Sequence, residues 1–105
     1  MKLTENELRN LLDTTPKPVV VDFFATWCGP CVKFSPIFEA VAKKNGEQFD
    51  FAKVDIDHCA QLCEDVNISV VPTLMVFKNS KIVNRKEGGF PDEAALEKWI
   101  KSTQL

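Results

Sequence analysis

Seven residues, "VVVDFFA" at Val19 to Ala25, constrain the fold more than any other stretch. The run is short, rich in β-branched and aromatic residues, and too uniformly apolar for a strand with one wet face. It predicts a strand buried on both faces, the kind found inside parallel sheets. "TWCGPC" follows at once, so Cys28 and Cys31 stand where that strand must give way to the next element. A Cys-x-x-Cys pair holds a metal, closes a small structural disulfide, or cycles between dithiol and disulfide, and its surroundings decide which.

The surroundings are regular. "TENE" at Thr4 to Glu7 has the form of a capping box, and Leu8, Leu11 and Leu12 follow at helical spacing, ending before Pro16 and Pro18. Beyond the cysteines, Phe34, Ile37, Phe38, Val41 and Ala42 recur at three- and four-residue steps until Asn45-Gly46 closes a helix. "FDFAKVDID" (Phe49 to Asp57) alternates as a second strand, so the cysteines lie inside a strand–helix–strand unit with a right-handed crossover. "HCAQLCEDVN" reads as a short helix, and "TLMVF" and "KIVNRKE" flank "KNSK" as a hairpin in which Asn79 or Ser80 must take a positive φ. Asp92 caps a last helix carrying Ala95, Leu96, Trp99 and Ile100 on one face. The prolines fall at element boundaries. The order αβαβαββα predicts an α/β fold in one domain over residues 1–105: a mixed central sheet of about four to five strands flanked by about four helices.

Charge and composition narrow the function. With 13 basic residues against 15 acidic and no basic cluster, no phosphate-tracking surface is expected, and so no nucleic-acid partner. No segment approaches the roughly 20 apolar residues that a membrane helix needs. The start, "MKLTENELRNLL", has no apolar stretch of signal-peptide length, so the expectation is a cytoplasmic chain. Cysteines are kept reduced there, which favours catalytic, metal-binding or incidental roles over a disulfide framework.

At a strand-to-helix junction the Cys28 sulfur lies beside unpaired N–H groups and the positive end of the helix dipole, which favours thiolate over thiol. An ordinary cysteine, with a pKa near about 8.5, is mostly protonated at neutral pH, whereas such a thiolate attacks disulfides. Cys31, one turn further in, should be less exposed yet close enough to resolve a mixed disulfide. Gly29 lets the turn run tightly and Pro30 suits a helix's first turn. Zinc is the rival reading, since Cys59 and Cys63, with His58 adjacent, form a second pair. Structural zinc sites favour loop-rich settings, and both pairs here sit in regular elements.

"WCGPC" at Trp27 to Cys31, preceded by "VVDFFAT" and followed in order by "KFSPIFE", "FAKVDID", "VVPT" and "KEGG", resembles the thioredoxin family over practically the whole chain. The resemblance implies a thiol–disulfide oxidoreductase with no bound cofactor, acting as a monomer. Such a protein reduces disulfides in substrates such as peroxiredoxins and is re-reduced by a flavin-dependent thioredoxin reductase that draws on NADPH.

It also implies roles for further residues. Asp22 reads as a buried carboxylate with a raised pKa that takes the proton of Cys31, its plain alternative being a strand-end acid in water. Lys53 matches the lysine that approaches this acid, where an ordinary surface lysine is the alternative. Pro72 matches a cis-proline facing the active site, with Val71 before it offering main-chain groups to an extended substrate, although from the residues alone a trans proline at a strand start is the favoured reading. Gly88 and Gly89 match the glycine rim that leaves room for substrate, with turn formation the alternative. Trp27 flanks the groove and shields the cysteines, while Trp99 belongs to the core. Val32 stands where the family commonly has Lys or Arg.

Cys59 and Cys63 fall outside that motif. Four apart on an intact helix, they cannot bond without unwinding it. They are read either as small buried hydrophobes or as an oxidative switch near the substrate-facing region. A disulfide-isomerase-like oxidant is the enzymatic rival, but it usually carries His at position 30 and would need a signal peptide. A binding subunit without turnover is the other rival, and losing Cys28 or Cys31 would mark it.

Overall fold

A computed structural model describes residues 1–105. α1 (Glu5–Thr14) starts at the predicted box: Thr4 accepts from the Glu7 N–H while Glu7 accepts from that of Thr4. β1 (Val19–Phe24) leads into α2 (Gly29–Asn45), then β2 (Asp50–Asp55), α3 (Ala60–Asp65), β3 (Thr73–Lys78), β4 (Lys81–Glu87) and α4 (Glu93–Ser102).

The four strands are ordered β2-β1-β3-β4, β1 pairing parallel with β2 and antiparallel with β3, so β1 is central as its apolar run requires. Its residues alternate between two cores. Val19, Val21 and Phe23 join Leu8, Leu12, Leu62 and Val66 under α1 and α3, whereas Val20 joins Phe34, Phe38, Val41, Leu96 and Ile100 under α2 and α4. Burying each large apolar side chain contributes about 1.5–3 kcal/mol, so these two layers carry most of the drive to fold.

Several boundaries differ from the sequence expectation. The second strand stops at Asp55, because that carboxylate accepts the Asp57 N–H and turns Ile56–His58 into one turn of 3-10 helix. The following helix is only Ala60–Asp65, with Cys59 outside it as the cap residue. Pro36 lies inside α2 rather than at a boundary, and Gly46 ends that helix in right-handed geometry (φ −65°). In the hairpin both Asn79 (φ 52°) and Ser80 (φ 63°) take positive φ. Residues 1–3, unassigned by the sequence, pair beside the edge strand: Lys53 N–H donates to the Met1 carbonyl and Leu3 N–H to that of Lys53.

Candidate active site

The end of β1 delivers Cys28 to the N-cap of α2, where its sulfur accepts the Cys31 N–H at 3.2 Å. A sulfur at that position takes up one of the helix's orphan donors and meets the dipole end, both of which stabilise negative charge. Cys28 and Cys31 are joined as a disulfide, with Cα atoms 5.3 Å apart. Both are enclosed, Cys28 6% exposed and Cys31 3%, which is the expected order with little to separate them.

The start of β3 closes the other side. The Val71–Pro72 peptide bond is cis, Pro72 is buried, and the Val71 carbonyl oxygen lies 3.7 Å from Cys28 Sγ. Gly88 sits beside it, donating its N–H to the Pro72 carbonyl at 2.7 Å, with φ +88° that favours glycine. Gly89 departs from the expectation of an open rim: a Cβ there would stand 2.9 Å from the Phe34 ring, so core packing rather than substrate takes the space. Gly29 departs in the opposite sense, because a Cβ there would meet nothing within 4 Å and the turn itself does not need glycine. Trp27 is 67% exposed, its ring N–H donating to Asp57 at 2.9 Å, and Val32 beside Cys31 is exposed too.

Asp22 is wholly buried, two residues beyond Val20 on the sheet face that α2 covers, and neither carboxylate oxygen has a hydrogen-bond partner. Burial pushes its carboxyl up to about 7, opposed by the positive charge of Lys53. Lys53 is the Cα partner of Asp22 across the sheet, as expected, but its ammonium is held elsewhere. It donates to Ser35 Oγ, lies 3.8 Å from Glu39, and sits 5.1 Å from the centre of the Phe24 ring. Ser35 and Lys53 line a cleft of about 420 Å³ together with Cys31, Phe24 and Val32. Neither Ser35 nor Glu39 was singled out from the sequence, where only their one-turn spacing on a helix face hinted at a shared partner.

Cys59 and Cys63 lie apart from this cleft, packed with Leu8 and Leu62 on the opposite face of the sheet. Cys59 is fully buried and its thiol is pushed up to about 12, first by burial and then by Cys63. Burial raises the Cys63 thiol as well, with Glu5 acting in the same direction. Both groups therefore favour the unreactive thiol form. No three His, Cys, Asp or Glu side chains cluster as a metal site.

Comparison with known proteins agrees with this geometry. A sequence model of the family described as Thioredoxin matches residues 1–102. Thioredoxin-1 of Saccharomyces cerevisiae is 43% identical over 84 residues, covering 80% of this chain and 79% of the yeast protein. Thioredoxin Y, chloroplastic, of Oryza sativa is 36% identical over 96 residues, which cover 91% of this chain but only 57% of the rice protein's length. A solved structure of Plasmodium falciparum thioredoxin superposes with a TM-score of 0.85 at 34% identity, over 95% of each chain.

Proposed function

Because the chain belongs to the thioredoxin family, whose members are protein-disulfide oxidoreductases, we propose that it reduces disulfides in other proteins through Cys28 and Cys31. The observation that carries this reading is the Cys28 sulfur, capping α2 and accepting the Cys31 N–H beside the Val71 carbonyl.

In the reduced protein the Cys28 thiolate attacks one sulfur of the target disulfide. A Cys28–target bond forms, the target S–S bond breaks, and the first target sulfur leaves as a thiolate. The Cys31 thiol then gives its proton to Asp22, whose pKa near 7 suits it to accept a proton at neutral pH. The resulting thiolate attacks Cys28 sulfur, releasing the second target thiolate and forming the Cys28–Cys31 disulfide. Two electrons have passed from the pair to the target.

Extended polypeptide is the substrate form that fits, since the Val71 main chain beside Pro72 offers strand-like hydrogen bonds at the reacting sulfur. Peroxiredoxin-like disulfide proteins belong to that class. Electrons return to the oxidised pair from NADPH through a thioredoxin reductase. A reducing compartment, the cytoplasm, completes the proposal, as the setting in which a dithiol carrier is kept reduced.

Reduction of a polypeptide disulfide with dithiothreitol as electron source tests the reading. Cys28→Ser is expected to lose the rate above background, while Cys59→Ser/Cys63→Ser retains it. Turnover by Cys28→Ser, or none by the wild type, would overturn the proposal.

A further inference from the structure

In the cleft beside Cys31, the side chain of Lys53 points to a partner that the exchange reaction does not require. Its Cα is in register with that of Asp22, and its charge is the one that counters the burial of that carboxyl. Its ammonium is nevertheless engaged by α2, donating to Ser35 Oγ and lying 3.8 Å from Glu39. Both oxygens of Asp22 are left with no donor. The Lys53 side chain is only 15% exposed, so its bond to Ser35 is not readily exchanged for one to water. A flexible four-carbon stem can reach acceptors on either side of its own Cα, and here the α2 side holds it.

We infer that Ser35, seconded by Glu39, is a positioning residue: it holds the Lys53 ammonium against α2, withholds it from Asp22, and so keeps that carboxyl able to take the Cys31 proton. The inference rests on the exchange reading of the site.

The groups facing the cleft from each packed element account for the electrostatics. α2 lines it with Ser35 and Cys31 and holds Glu39 3.8 Å from the Lys53 ammonium; β1 lines it with the Phe24 ring, while Asp22 on the same face of that strand is fully buried; β2 lines it with Lys53. The N-terminal segment adds Lys2, whose ammonium lies 5.6 Å from the same Phe24 ring, and the amino group of Met1, which donates to the Phe51 carbonyl at 3.3 Å. Across β3 the register partner of Asp22 is Leu74, which carries no charge. Lys53 is therefore the cation able to change sides. An ammonium moved toward Asp22 stabilises its carboxylate and lowers its proton affinity.

Carbon-13 NMR titration of the Asp22 side-chain carboxyl in the oxidised protein reads this directly. Ser35→Ala is expected to lower the midpoint by about one pH unit. Glu39→Gln lowers it by less, because the Glu39 carboxylate is 67% exposed and screened by solvent. In a Lys53→Met background, with no ammonium to release, Ser35→Ala leaves the midpoint where Lys53→Met alone puts it. A midpoint that stays or rises in Ser35→Ala, or that moves equally with and without Lys53, overturns the inference. The titration needs no turnover, so failure of the reductase reading appears in the Cys28→Ser assay and not here.

Discussion

A Cβ at Gly89 would stand 2.9 Å from two atoms of the Phe34 ring, and Phe34 is itself held in the core. Gly89→Ala should therefore force the ring or the chain to shift, at a cost of about 1–3 kcal/mol. Gly29 faces open space at the first turn of α2, so Gly29→Ala should leave stability within about 1 kcal/mol, on the stabilising side. Urea unfolding of the two variants checks both, and equal destabilisation would show that crowding at Phe34 is not what position 89 answers to. Sequence alone treats these glycines alike, since a glycine's spelling is the same whether it answers to a turn, a neighbour or a substrate. Asp22 was legible for the opposite reason: a carboxylate flanked by Val21 and Phe23 in a doubly buried strand has nowhere wet to go.

At the scale of elements, the sequence was clearest where the signal is local. The capping box of α1, the apolar run of β1, the Asp92 cap of α4 and the hairpin at Asn79-Ser80 all appear where their residues place them. It was least clear where a side chain competes with a periodic pattern. Ile56 continues the alternation of β2, but the Asp55 carboxylate captures the Asp57 N–H and ends the strand two residues before the expected Asp57. That turn moves Cys59 from the helix to its cap. Residues 1–3 are too few to show a period, and they pair only because β2 leaves an edge open. In the site, the Cys28/Cys31 pair was readable because its geometry is set within one turn. The attachment of Lys53 to Ser35 was not, because it joins residues 18 apart in sequence through the packing of α2 on the sheet.

For the whole molecule, a buried carboxyl that titrates near 7 makes stability depend on pH. In the unfolded chain Asp22 gives up its proton near 3.8, whereas the folded protein keeps it until about 7. Between those values the native state binds the extra proton, so this group's contribution to stability falls as pH rises from about 4 to 7 and is level above. The gap, at about 1.4 kcal/mol per pH unit, sets a ceiling of about 4 kcal/mol. Asp22→Asn should remove that slope. Urea stabilities of wild type and variant, compared across this range, should diverge in the variant's favour up to pH 7 and then run parallel, and a difference that stays constant with pH would contradict the account. The protein thus gives up stability at neutral pH to keep a buried carboxyl at Asp22.

The most direct test of the exchange account is mass spectrometry of Cys31→Ser after reaction of its reduced form with a disulfide-linked peptide. Without the resolving thiol, the Cys28–peptide bond formed by the first attack has nothing inside the protein to break it. The account predicts a stable adduct of one peptide half, located at Cys28. An adduct at Cys59 or Cys63, or none at all, would contradict it.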